Sequence, residues 1–324
     1  MGYRMDVIED QVRAAYLWIL GRHADATGLA GYSEQLRSGA LSIEGLRQIL
    51  LDSAEFREVK PSFVVVEMTN GVKVVVDPQE PEFGRHIVGG GIWEPHIVDA
   101  IRSSLSQGAT FVDIGGNVGV MSFQAADVVG PTGKVIAFEP NVRNVGAFRR
   151  GLVANSYDNV LLFPLALSDH RHMIGLTSAS NAKVMGDALA TQSADVVQAV
   201  AADELLEHEA RIDLVKIDIE GFELPALKGM ERALRRHKPK ILCEFNPLCL
   251  RAQGGIDPRL LADYLFTLCS VGHLVEHDGS RTRIDSPNDL MDLWVKRDAE
   301  ATRQDILPAG WVHFDIMLDM SMER

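Results

Sequence analysis

The chain has 324 residues, 46% of them hydrophobic and 24% charged, with 32 Lys+Arg against 45 Asp+Glu for a formal net charge of -13. That composition excludes a disordered chain, leaves room for about two domains or one large domain with an appendage, and tells against nucleic acid, whose grip draws on clustered Lys and Arg. Three cysteines, Cys243, Cys249 and Cys269, form neither a disulfide framework nor a CxxC metal site and suit a reducing compartment as buried small hydrophobes.

The first residues turn acidic at once, without the basic segment and apolar run of a signal peptide, and no stretch of about 18 apolar residues could span a bilayer. A soluble, cytoplasmic protein is the expectation. Asp6 stands where a myristoylation signal takes Ser or Thr. Residues 7–58 read as helices only. Val12, Tyr16, Ile19 and Leu20 make one apolar stripe ahead of a stop at Gly21, a second helix runs over 27–36, and Ser42 caps a third that turns Leu46, Ile49 and Leu50 inward. Ser53-Ala-Glu-Phe56 begins a further turn and Pro61 closes the segment. The expected division is a helical module over 1–60 and a second unit over 61–324.

From Phe63 the pattern changes. Two β-branched runs, 63–68 and 72–76, flank Asn70-Gly71, a dipeptide suited to a type I′ turn. After Gly89-Gly90-Gly91 and a helix over 95–105, short apolar strands alternate with helical stretches. Strands are expected at 110–114, 134–138, 160–164, 213–218 and 240–245, with later ones near His273 and Trp311. Such alternation predicts an α/β fold, a mostly parallel sheet covered on both faces.

In such a sheet, ligands bind beyond the carboxyl ends of the strands. The first strand runs into Asp113-Ile-Gly115-Gly116-Asn117-Val-Gly119, and the second ends in Glu139-Pro140, about twenty residues on, the spacing at which a carboxylate can take both hydroxyls of a ribose. A dinucleotide or S-adenosylmethionine fits both features. Asp113 inside the glycine turn would repel a pyrophosphate and attract a sulfonium and an α-ammonium, so it is read as serving the cationic end of S-adenosylmethionine.

Residues from about 63 to the end resemble the FkbM-type family of S-adenosylmethionine-dependent methyltransferases. The resemblance rests on Phe111-Val-Asp-Ile-Gly-Gly-Asn-Val-Gly119, Val135-Ile-Ala-Phe-Glu-Pro140, Ala166-Leu-Ser-Asp169, Asp213-Leu-Val-Lys-Ile-Asp-Ile-Glu-Gly221 with Glu223, Leu227-Lys-Gly229 and Ile241-Leu-Cys-Glu-Phe-Asn-Pro247. The family usually has Gly-Ala where Gly115-Gly116 stands. The resemblance implies a class I methyltransferase fold, Rossmann-like and doubly wound with seven strands, and methylation of a hydroxyl oxygen on a sugar or natural product.

Methyl transfer from a sulfonium is an in-line displacement, so the acceptor oxygen must be held behind the methyl carbon and lose its proton. The run after the fourth strand supplies the candidates: Glu220 is favoured as base, Asp218 second and orienting cofactor or acceptor, with Glu223 just beyond. Ser168 and Asp169 follow the third strand and are candidates for adenine contact, although Asp169 reads equally as a turn former. Glu94, in Trp93-Glu94-Pro95, matches an acidic residue that the family places near the cofactor; it reads equally as an ordinary helix-start carboxylate. His170 with His172, and His273 with His277, lack partners at a metal-binding spacing, so no metal is expected. The basic run Arg232, Arg235, Arg236, His237, Lys238 and Lys240 reads as a helix end complementing its dipole.

The N-terminal segment has a resemblance of its own. Tyr16-Leu-Trp-Ile-Leu-Gly21-Arg22, Asp25, Gly28-Leu-Ala-Gly-Tyr32, Leu36-x-Ser-Gly39 and Ser53-Ala-Glu-Phe56 resemble a small bacterial domain of unknown function often attached to glycan-handling enzymes. It implies a docking or acceptor-recognition module, with a packing helper as the plain alternative. Two other functions stay open: a nicotinamide oxidoreductase, disfavoured by Asp113, and a non-catalytic binding protein that keeps the fold. Residues 170–193, rich in small polar side chains, are expected to form a mobile lid.

Overall fold

The computed structural model describes residues 7–20, 22–55, 63–77, 80, 83–90, 93–176, 184–187 and 195–322. Helices α1 (Val7–Leu20), α2 (Ala26–Arg37) and α3 (Ile43–Asp52) form at the expected apolar spacings. Asp25 and Ser42 cap α2 and α3 by accepting from the Gly28 and Gly45 N–H groups at 2.8 and 3.0 Å. Val12, Tyr16, Ile19, Leu20, Leu46 and Leu50 build a hydrophobic cluster of their own. Ile49 is 42% exposed rather than inward. Leu46 and Leu50 lie one turn apart on the buried stripe, and Ile49 is rotated off it by the helical pitch. The stop at Gly21, Phe56 and the closing Pro61 lie outside the described residues, as does Gly91.

Strands β1 (Val64–Glu67) and β2 (Lys73–Val76) pair antiparallel as expected, but their turn is not type I′. The Gly71 N–H donates to the Met68 carbonyl at 2.9 Å and the Met68 N–H to that of Val72 at 2.8 Å. Gly71 has φ 85, while Asn70 stays out of the left-handed region. This is a three-residue loop, closed by a left-handed glycine. The Asn70 amide donates instead to Gln124 Oε1 at 2.6 Å, a long-range contact that the dipeptide does not encode.

Next come α4 (Phe83–Val88), α5 (Pro95–Ser104), β3 (Thr110–Ile114), α6 (Val120–Val129), β4 (Lys134–Phe138), α7 (Val142–Asn155) and β5 (Val160–Phe163). They are followed by β6 (Ala166–Leu167), β7 (His172–Leu176), β8 (Val184–Asp187), β9 (Asp195–Val200), α8 (Asp203–Leu206), β10 (Leu214–Ile217), α9 (Glu223–Lys228), α10 (Glu231–His237) and β11 (Lys240–Phe245). The last are α11 (Pro247–Ala252), α12 (Pro258–Leu268), β12 (Gly272–Val275), β13 (Arg281–Ile284), α13 (Pro287–Arg303) and β14 (Phe314–Asp319).

The main sheet has the order β13-β12-β14-β11-β10-β3-β4-β5. Strands β5, β4, β3, β10 and β11 are mutually parallel, and β14 runs antiparallel to β11. This is a doubly wound, Rossmann-like sheet, as expected. An eighth strand, β13, joins the seven expected ones as a hairpin on β12. The final strand starts at Phe314, and Trp311 lies in the loop before it, 55% exposed. A second sheet, β6-β9-β7-β8, takes two strands from the stretch expected as a lid. Residues 177–183 and 188–194 lie outside the described residues.

Alternation along each strand divides the core into two layers. Val112, Ile114, Val215, Ile217, Ile241 and Cys243 pack with Leu224, Leu234, Leu261 and Trp294 from α9, α10, α12 and α13. On the opposite face Phe111, Leu214 and Leu242 pack with Ile97, Phe123 and Phe148 from α5, α6 and α7. All three cysteines are buried. No helix among the described residues is long and apolar enough to cross a membrane.

Candidate active site

The face that carries Phe111, Leu214 and Leu242 turns polar toward the carboxyl ends of its strands. Period two places Asp113, Lys216 and Glu244 on that face, and the register sets Asp113 beside Lys216 and Glu244 beside Asp315. The Lys216 Nζ lies 3.2 Å from Asp218 Oδ2, 3.4 Å from the Gly115 carbonyl and 3.9 Å from Asp113 Oδ1. Burial by itself would lower the lysine pKa; the carboxylates of Asp218, Asp113 and Glu94 reverse that and hold it above the ordinary value. Asp113 has no exposed surface and accepts from the Ser122 hydroxyl at 2.6 Å. In this structure the cation its carboxylate faces is Lys216, a residue of the same fold, and burial raises its pKa despite that neighbour.

The glycine turn lies at the end of β3. The Gly115 and Gly116 N–H groups donate to the Phe138 carbonyl at 3.0 and 2.9 Å, which ties the turn to β4. Gly115 has φ 86, and a Cβ there would stand 2.0 Å from the Asp218 carbonyl oxygen, so the position accepts only glycine. Asn117 is left-handed at φ 47, and its Oδ1 is buried without a hydrogen-bond partner among the described residues. Gly119 opens α6 with φ 99. Glu139, 5% exposed and followed by Pro140, braces the turn from β4. Its Oε2 accepts from the Asn117 N–H and its Oε1 from the Asn141 N–H, both at 2.8 Å. Burial lifts its pKa to about 7 against these hydrogen bonds.

Beyond β10 the loop carries the three expected carboxylates, each in a different setting. Asp218 is partly exposed and held by Lys216. Glu220 takes a left-handed φ of 56, and its Oε2 accepts from the Cys249 thiol at 3.0 Å. Glu223 has no exposed surface; its Oε1 accepts from the Ile219 and Gly221 N–H groups at 3.0 and 3.1 Å. Burial lifts its pKa to about 7, and the two hydrogen bonds to its Oε1 brace the loop. Beneath them Glu244 is pushed well above the carboxylate range by burial and by Asp218 and Glu223.

Helix α5 closes this edge. Glu94 stands at its N-cap in a left-handed conformation, φ 42 and ψ 61, without making the cap hydrogen bond. Burial first and Asp218 second raise its pKa to about 7. Two residues on, buried His96 approaches Asp315 with Nε2 to Oδ2 at 3.4 Å. Its ring lies 4.4 Å, centroid to centroid, from that of the exposed His277. Ser168 and Asp169 sit apart from this cluster, after β6, with the Ser168 hydroxyl donating to Asp169 Oδ1 at 3.3 Å and His170 Nδ1 2.5 Å from the same oxygen. Among the described residues no group of three or more His, Cys, Asp or Glu is arranged to hold a metal ion. The glycine turn is thus flanked by Glu94, Asp113, Asp218 and Glu139, with Lys216 the cation among them.

The family model described as the methyltransferase FkbM domain matches residues 113–254, from the glycine turn through β11 and α11. The match takes in the glycine turn and the acidic loop after β10. The chain is also similar to the hexuronic acid methyltransferase AglP of Haloferax volcanii, 26% identical over 171 residues, which cover 51% of this chain and 65% of that protein. Among solved structures it is similar to a methyltransferase FkbM from Methylobacillus flagellatus, with a TM-score of 0.39, 16% identity, and coverage of 94% of this chain and 58% of that one. The O-methyltransferase TomG from Streptomyces achromogenes, solved with SAM, gives a TM-score of 0.37 and 12% identity over 69% of this chain and 77% of that one. The chain thus spans less than two thirds of the length of the first two.

Four residues of the polar cluster were not singled out from the sequence: Lys216, Glu244, His96 and Asp315. For the first two a signal was available, an ionisable side chain inside the apolar strands Leu214–Ile217 and Lys240–Phe245, both buried on two faces. His96 and Asp315 are 219 positions apart and meet only through the sheet.

Proposed function

We propose that the chain is an S-adenosylmethionine-dependent methyltransferase that methylates a hydroxyl oxygen on a sugar, glycan or glycoconjugate without help from a metal ion. The observation that carries this is the acid-lined glycine turn at the carboxyl edge of β3 and β10, inside the matched domain. Asp218 and Glu94 would face the cofactor's cationic end. Asp113 acts on it through Lys216 and the turn, Glu139 and Pro140 would hold its ribose, and Ser168 and Asp169 its adenine. The bound cofactor supplies an electrophilic methyl group. Asp218 and Glu220, the carboxylates favoured as bases from the sequence, would bind and orient the acceptor hydroxyl, and positioning supplies the largest part of the rate.

A hexuronic acid offers both hydroxyls and a carboxylate to a methyl donor. Asp218 lies at the edge where an acceptor would enter, and the crowding of acidic groups there raises the pKa of Glu94 and Glu244, so an added anion would be disfavoured relative to a neutral hydroxyl. Residues 1–60 would serve as a docking or acceptor-recognition module, and the protein would work in the cytoplasm. The test is transfer of labelled methyl from S-adenosylmethionine by the full chain to methyl glycosides of hexoses and hexuronic acids, alongside calorimetric titration with S-adenosylhomocysteine and with NAD. Label on a sugar hydroxyl and binding of S-adenosylhomocysteine are expected. Tight NAD binding without S-adenosylhomocysteine binding would overturn the reading in favour of a nicotinamide enzyme, and cofactor binding without transfer to any acceptor would favour a binding protein.

A further inference from the structure

We propose that His96, held by Asp315, is the base that takes the proton of the acceptor hydroxyl; this rests on the methyltransferase reading above. His96 lies on the first turn of α5, and its side chain is 4% exposed. A histidine buried to that degree normally has both ring nitrogens satisfied. Here Nε2 approaches the Asp315 carboxylate at 3.4 Å, while Nδ1 is buried with no hydrogen-bond partner among the described residues. A carboxylate on one nitrogen fixes the tautomer that leaves a lone pair on the other, which is how a positioned imidazole is made a base.

The surroundings place this pair on the wall of the site. Asp315 is in register with Glu244, which is on the polar face with Lys216 and Asp113. The Glu94 carboxyl feels the charges of both His96 and Asp218, which sets it near the histidine and near the loop after β10. The groups facing the imidazole are Asp315 from β14, Glu94 from the start of its own helix and His277 from the turn after β12. The hydrogen bond that His96 donates to Asp315 raises its pKa above the ordinary histidine value, and Glu94 adds to it.

The reaction balances with His96 in this role. The acceptor oxygen bonds to the methyl carbon, the carbon–sulfur bond breaks with its electron pair left on sulfur, and the hydroxyl proton passes to Nδ1. One positive charge leaves the sulfonium and one appears on the imidazolium, where Asp315 and Glu94 stabilise it. The net charge of the site is unchanged through the step, which limits the electrostatic reorganisation asked of a buried cluster.

The test uses the full chain, labelled S-adenosylmethionine and the methyl glycosides of hexoses and hexuronic acids. His96→Asn is expected to lower kcat by about 10²–10⁴-fold, the range for a lost general base, with S-adenosylhomocysteine affinity within about threefold of wild type. Asp315→Asn is expected to move the acid limb of the kcat profile to lower pH, because the imidazole loses the partner that raises its pKa; a purely structural role for Asp315 would leave that limb in place. Wild-type kcat in His96→Asn, or an unmoved limb in Asp315→Asn, overturns the proposal. Should His96→Asn lose cofactor binding through misfolding, the Asp315→Asn profile decides. If no glycoside accepts label the methyltransferase reading itself fails. The imidazole resonance of His96 with S-adenosylhomocysteine bound remains a separate readout. It should titrate above an ordinary histidine in wild type and lower in Asp315→Asn, and an identical titration in both refutes the pairing.

Discussion

Lys216→Met removes one ammonium from a site where three oxygens depend on it, at 3.2 Å (Asp218), 3.4 Å (Gly115 carbonyl) and 3.9 Å (Asp113). Methionine fills a similar volume, so packing is nearly kept and the loss is electrostatic. Asp218 is partly exposed and can turn to water, but Asp113 has no exposed surface and keeps one bond, from Ser122. Deleting one partner of a buried pair costs about 3–5 kcal/mol, because the other charge is left uncompensated. The loss should be smaller in acid, where Asp113, already raised by burial, takes up a proton. Lys216→Met with Asp113→Asn removes both charges, and replacing a buried pair by neutral groups of the same shape is close to neutral. The double variant should therefore recover about 2 kcal/mol or more over the sum of the single losses. Urea unfolding of all four proteins at pH 8 and pH 5 measures the cycle. A Lys216→Met protein within about 0.5 kcal/mol of wild type, or singles that simply add, would refute the claim that this lysine holds the turn and its aspartates together.

Gly115→Ala forces a methyl to 2.0 Å from the Asp218 carbonyl at a backbone φ of 86, so calorimetry should show at least about a tenfold loss of S-adenosylhomocysteine affinity; unchanged affinity would mean that the turn is not the cofactor's seat. Glu223 has a folded pKa of about 7 against 4.5 unfolded, so its contribution to stability is present below about 4.5 and lost as pH rises through about 7. Glu223→Gln stays neutral and should gain on wild type by up to about 3 kcal/mol between pH 5 and pH 8, read from urea midpoints; parallel pH curves for the two would contradict the burial effect. If Glu220 binds the acceptor as proposed, Glu220→Gln should raise the acceptor KM by about 10-fold to 100-fold while the acid limb of kcat stays put; a KM equal to wild type rules Glu220 out of acceptor binding.

The carboxyl-edge site was legible to the extent that each residue's part could be read from its own strand and the turn after it. A strand followed by glycines, with an acidic residue at the end of the next strand, needs only local spacing, and Gly115, Gly119, Glu139 and Asp218 all stand where that spacing put them. The helical segment was legible for the same reason, since caps and a 3.6-residue stripe are local; Ile49 and the Asn70-Gly71 turn departed where neighbours distant in sequence, or the edge of a stripe, decided.

Sequence alone therefore determined the order of the five parallel strands, the glycine turn and the acidic character of the edge. Tertiary structure alone decided which charges face one another. The register of β3 with β10 sets Lys216 against Asp113, and that of β11 with the antiparallel β14 sets Asp315 against Glu244 and within reach of His96. The physical reason is that a one-residue slip in a strand sends its side chains to the opposite face, so these pairings are fixed by the packing of both layers together and not by any stretch of chain read by itself.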